Sequence, residues 1–146
     1  MSLEDDGLTL LRHLIDDLGN TPEYSDDRLI ELLYVAATYV NLEIGTSYSI
    51  SICSQTVDPD PDPSFNTLVA LKSACLLVRS TQSSYAKCDF SVTDGPAKVD
   101  LKGSADKLKV SADGFCNQYE RAKINFLMGS SDFGGGLAIS TPNSSC

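Results

Sequence analysis

From Gly103 to Phe126 the apolar residues Ala105, Leu108, Ala112, Phe115, Tyr119, Ala122 and Phe126 recur at alternating spacings of three and four. Only a helix gathers that pattern onto one face, and a stripe that long must be buried against other helices. The stripe is expected to stop at Met128-Gly129, glycine being the common terminator. Beyond it, Ser130 to Pro142 holds Gly134-Gly135-Gly136 and Leu137-Ala138-Ile139, too glycine-rich to fold alone and too apolar for a solubilising tail. This segment reads either as an arm that orders on a neighbouring molecule or as a disordered terminus. The expected organisation is one helical domain over residues 1–129 and a flexible arm over 130–146, which reaches at most about 60 Å when extended.

Matching stripes occur upstream. Leu8, Leu11, Leu14, Ile15 and Leu18 predict a first helix, closed by Gly19-Asn20, with Asp5 and Asp6 at its positive end. Ser25 caps a second, carrying Leu29, Leu32, Leu33, Ala36, Ala37 and Val40, with Tyr34 and Tyr39 at its rim. From Ser47 to Gln55 the period becomes two, which predicts a half-buried strand whose partner is either Leu42 to Gly45 or another chain. Val57-Asp58-Pro59-Asp60-Pro61-Asp62-Pro63 reads as a stiff extended connector. Asp62 or Ser64 then opens a third helix through Phe65, Leu68, Val69, Leu71, Ala74, Cys75, Leu76 and Val78, apolar on more than one face and so the expected centre of the core. The polar residues Ser80 to Ser84 loosen that pattern. Cys88 to Val92 and Ala97 to Leu101 alternate around Asp94-Gly95, a hairpin signal, and Ser104 is placed to cap the fourth helix. The fold class expected is mainly α with a small β part: an antiparallel bundle of about four helices, a β-hairpin and one further strand.

Composition narrows the function classes. At 146 residues with 42% hydrophobic and 21% charged residues, the chain has enough apolar material for one core. No apolar run approaches the roughly 20 residues of a bilayer span. The acidic Met1-Ser2-Leu3-Glu4-Asp5-Asp6 lacks the positive start and apolar core of a signal peptide, which predicts that the protein stays in the cytoplasm where it is made, with no membrane partner. Residues 1–63 hold 13 Asp/Glu against Arg12 and Arg28, a net of −11, whereas residues 64–146 net +2. So acidic a chain is poorly suited to nucleic acid, whose phosphates need clustered Lys and Arg. Its polarity suits instead either a solvated acidic face or copies that meet through unlike patches. Five cysteines, Cys53, Cys75, Cys88, Cys116 and Cys146, show neither close pairs nor C-x-x-C spacing, which argues against a disulfide framework and a zinc site. Cys75 and Cys116 read as small hydrophobes on helices.

Signs of catalysis are absent from the pattern. His13 is the lone histidine, with no nucleophile indicated beside it. Asp58, Asp60 and Asp62 imitate the opening of a calcium loop, but Pro63 stands where its glycine is needed and Val69 where its bidentate glutamate belongs. Gly134-Gly135-Gly136 lacks the strand-turn-helix setting of a nucleotide site. No enzyme activity, cofactor or metal is expected.

The segment Tyr24-Ser25-Asp26-Asp27 leading into Leu29, Leu32 and Val35-Ala36-Ala37, the helix from Leu68 to Cys75, Asp94-Gly95-Pro96 and Tyr119 together carry a resemblance. Over roughly residues 22–128 the chain resembles the head-to-tail connector (adaptor) proteins of tailed bacteriophages. The resemblance implies a non-enzymatic structural virion protein of the neck, assembled in the host cytoplasm. It implies a ring of neighbouring copies, typically twelve, docked on the portal protein and presenting a surface to a downstream neck or tail protein. By the same resemblance Phe133, Leu137 and Ile139 are the expected anchors of the arm, and Asp94 lies at a ring or partner surface. A tail-completion or stopper protein, or an unrelated cytoplasmic binding module, is the alternative. The Asp-Pro connector departs from the family pattern.

Overall fold

The computed structural model of the chain describes residues 2–88 and 101–135, with side chains placed over 2–84 and 109–129. Its elements are α1 (Leu3–Leu14), α2 (Asp26–Ile44), β1 (Ser49–Ser51), β2 (Thr56–Asp58), α3 (Pro63–Cys88) and α4 (Leu101–Gly135). The chain is thus mainly α with a small β part, as the periodicities predict, although the hairpin described is β1–β2 and not the one expected around Asp94. α3 packs against all three other helices, and Phe65, Leu68, Val69, Ala70, Ala74 and Leu77 on it are buried, so the core is centred where the sequence puts it.

α1 begins earlier and ends earlier than expected. Ser2 accepts from the Glu4 amide, and Glu4, Asp5 and Asp6 all fall in the first turn, where the helix dipole favours them. The helix ends before Ile15 because Asp16 turns left-handed (φ 57°), letting Asp17 N donate to Arg12 O and Asp16 N to His13 O. That closing pattern needs no glycine when an aspartate tolerates the left-handed region. Leu18 is left exposed instead of extending the stripe. α2 starts on the expected cap, Ser25 accepting from the Arg28 amide, and ends at Gly45 (φ 71°).

Leu42 to Ile44 are helical, so they do not pair with β1. β2 is its partner, with Ser49 opposite Asp58, Ile50 opposite Val57 and Ser51 opposite Thr56. The start of the Asp-Pro run is therefore a strand. Asn41 fixes the approach to this hairpin: its amide donates to Tyr48 O (3.0 Å) and accepts from Tyr48 N (3.2 Å). Tyr34 is also not at a rim. It is buried, and its hydroxyl reaches Gln55 O (2.6 Å), tying α2 to the turn.

Asp62 is the cap of α3, accepting from the Phe65 amide (2.7 Å), and Pro63 takes the first helical position, where its missing N–H costs nothing. The polar residues expected to loosen α3 stay helical, with Ser80, Thr81 and Ser84 turning their hydroxyls back onto preceding carbonyls.

α4 runs antiparallel to α3: Cys75 is bonded to Cys116, and the Lys72 ammonium lies over the Tyr119 ring. Two expectations for α4 fail. It begins at Leu101, so Ser104 lies inside it, and it passes through Gly129 without stopping, as far as Gly135. The start of the expected arm is therefore helix, and carrying the α3–α4 register onward places its last turns about 10 Å beyond the start of α3. Cys88 and Leu101, the outer ends of the hairpin expected around Asp94, are both helical; residues 89–100 lie outside the described residues.

Candidate functional site

Glu43 sits in the last turn of α2, the negative end of the helix dipole, where a carboxylate is unfavourable unless cations meet it. Three donors do. Lys72 of α3 reaches Oε1 (2.7 Å), while the Tyr119 hydroxyl (2.6 Å) and Lys123 (3.2 Å), both from α4, reach Oε2. Burial alone would raise the Glu43 carboxyl; Lys72, Tyr119 and Lys123 overcome it and hold the group down at about 2. Tyr119 moves the opposite way, its hydroxyl raised by burial and by the Glu43 charge. Both lysines also lie over the Tyr119 ring, at 4.7 and 5.3 Å from its centre. One carboxylate thus ties three helices together, and its proton chemistry is frozen: the acid stays ionised and the phenol stays protonated across ordinary pH.

The Cys75–Cys116 disulfide lies in the same α3–α4 seam, with Cα atoms 4.9 Å apart and both residues buried. It corrects the expectation of two unpaired thiols. Nothing in a separation of 41 residues signals the bond; it arises because two stripes bring one thiol each to the same level of an antiparallel pair. Cys53 is free and exposed.

A pocket of about 240 Å³ lies where the cap residue Ser2 and Glu4 of α1 meet Tyr34, Gln55 and Asp60. Its one phenol is not a base in waiting. Burial and the neighbouring Glu4 push Tyr34 up to about 12, and its proton is already shared between Gln55 O and Glu4 Oε1. His13 is exposed on α1, with Nδ1 2.8 Å from Thr9 O, and the Thr9 hydroxyl itself donates to Asp5 O. Among the described residues no group of three or more metal-ligating side chains converges, and no helix is long and apolar enough to cross a membrane.

The most open feature is the outer face of α4. Val110 is 73% exposed, Ile124 51% and Met128 61%, and α2 adds Leu42 at 80%. All fall off the buried stripes, so an inspection for apolar residues out of phase would have found them. Of the expected contact residues, Phe133 belongs to the last turns of α4; Asp94, Leu137 and Ile139 lie outside the described residues. No family model, curated protein or solved structure matches the chain.

Proposed function

We propose that this chain is a structural subunit of a phage neck, a head-to-tail adaptor whose copies form a ring on the portal protein and link it to the next neck or tail component. The observation that carries the reading is α4: a helix that overhangs its bundle with Val110, Ile124 and Met128 facing outward. Ile124 and Met128 stand one turn apart on that face, an apolar pair that a neighbouring subunit of a ring would cover. The frozen Glu43 cluster fits a part that transmits load between helices and performs no proton transfer. On this reading the chain is not an enzyme and needs no cofactor, and Phe133, Leu137 and Ile139 anchor the end of the chain on a partner.

The buried disulfide bears on the choice between this reading and a permanently cytoplasmic binding module. Reducing cytosol keeps such thiols apart. A virion protein is made there but works outside the cell, where Cys75 and Cys116 are free to close.

Mixing the purified chain with portal rings and imaging the product tests the reading. A collar of this chain on one end of the portal is the expected outcome, with removal of residues 136–146 lowering occupancy while leaving helicity unchanged. Binding to tail-tube protein and not to portal favours a tail-completion role; indifference to both removes the neck reading.

A further inference from the structure

Two outward helix faces carry the same spacing in complementary order. On α2, Glu31, Thr38 and Leu42 are exposed, on the side away from buried Leu29, Leu33 and Val40. On α4, Val110, Gly114 and Arg121 are exposed, away from buried Ala112, Cys116 and Tyr119. Leu42 and Glu31 are eleven positions apart, and so are Val110 and Arg121. Laid antiparallel, the faces match at three levels over about 16 Å of helix. Leu42 meets Val110, the two most exposed apolar side chains among the described residues. Thr38 meets Gly114, where even a Cβ would find nothing within 4 Å, so the helices are free to approach closely. Glu31 meets Arg121, and neither has an ion-pair partner of its own among the described residues.

We propose that this match is an interface between copies of this chain, α2 of one lying antiparallel on α4 of the next. The two faces of a single copy cannot meet, since each points away from the bundle they share. Each copy therefore offers one face of each kind, and the contact repeats head to tail. A rim ion pair sets the register, an apolar contact supplies attraction, and repetition makes a modest single contact sufficient. The pairing of faces stands on the geometry; its closure into a ring rests on the neck reading.

Charge reversal tests the pairing, because both charged residues are exposed and neither supports the core. The wild-type chain is expected to rise above its 15.7 kDa monomer mass with concentration in sedimentation or light scattering. Glu31→Arg alone and Arg121→Glu alone each place like charges in every seam and are expected to weaken association about tenfold or more. An equimolar mixture of the two variants is expected to recover it. Its seams alternate between two native faces and two reversed faces, both complementary. Single variants that associate as tightly as wild type, a mixture no tighter than its components, or a wild type monomeric at every concentration overturns the proposal. Portal binding reads out the other question. A chain that self-associates through these faces but ignores portal keeps this inference and loses the neck reading; full collars built equally well by both single variants do the reverse.

Discussion

Arg12 and Glu43 are inverse images. Arg12 is one cation gripping two carboxylates, Asp17 (2.8 Å) and Asp26, with Tyr24 O as a third acceptor. Glu43 is one anion gripping two ammonium groups, with the Tyr119 hydroxyl as a third donor. They differ in reach. Every partner of Arg12 lies within residues 17–26, so it closes one loop between α1 and α2. The partners of Glu43 lie on α3 and α4, as far away as Lys123. A local clamp shapes a connection, whereas a long-range clamp holds the tertiary arrangement, and removing the second should cost more.

The largest expected effect lies in the seam that Glu43 shares with the disulfide. Replacing Cys75 and Cys116 together by serine, or reducing the bond, frees a loop of 41 residues. The chain-entropy estimate for such a loop is about 4 kcal/mol. The midpoint of chemical unfolding should fall accordingly for the double variant. Reductant should destabilise the wild type and leave the double variant unmoved; equal sensitivity of both would mean that this bond does not form.

Glu43→Gln comes next, at about 2–3 kcal/mol, because it leaves Lys72 and Lys123 facing each other across a neutral amide. Acid should reproduce part of the effect. A carboxyl held below its ordinary range contributes stability that is complete above that range and lost as pH falls through the folded value. For Glu43 the window runs from its ordinary 4.5 down to about 2. Wild type should lose stability over that interval more steeply than Glu43→Gln. Parallel curves would show that Glu43 titrates normally and that the clamp is weak.

The contrast between the two clamps also separates what was legible in the sequence from what was not. Ser25 as a cap, the faces of α2 and α3, and the amphipathic α4 are local consequences of residue type and period, and they read correctly. Features decided by distant partners did not. The early end of α1 depends on a left-handed Asp16 and on Asp17 receiving the Glu23 and Tyr24 amides and Arg12. β2 hides in an Asp-Pro run because its place is set by Tyr34 holding Gln55 O. The disulfide exists only once α3 and α4 share a register. Gly129 is tolerated inside α4 because a single glycine costs a helix only about 1 kcal/mol. Val110, Ile124 and Met128 stand out of phase with the buried stripe of α4, a signal in the sequence that the expectation of Asp94, Leu137 and Ile139 as contacts did not use.

Asn66 shows what a buried polar group does without either kind of clamp. It is 1% exposed, and neither atom of its amide finds a partner among the described residues. Burying an unsatisfied amide costs about 1–3 kcal/mol, so Asn66→Leu, the same in branching and heavy-atom count but apolar, should raise stability by about 1–2 kcal/mol where the core accommodates its larger methyl groups. A loss of stability would mean that the amide is satisfied by water, which would then be part of the core.

Arg12→Met should cost least, about 1 kcal/mol. The guanidinium is raised above its ordinary value chiefly by its hydrogen bond to Asp26, but Asp26 is 65% exposed and water replaces that partner readily. Asp17 is the more buried carboxylate, and it does not depend on Arg12 alone. The Glu23 amide (2.8 Å) is the first cause of its lowered pKa, and the Tyr24 amide adds to it. Stripped of Arg12, Asp17 keeps both backbone donors, and methionine retains the aliphatic packing. Hydrogen exchange should then quicken over residues 15–25 and stay unchanged in α3. Were Arg12→Met to cost as much as Glu43→Gln, or to loosen α3 as well, reach in the sequence would not be what ranks the two clamps.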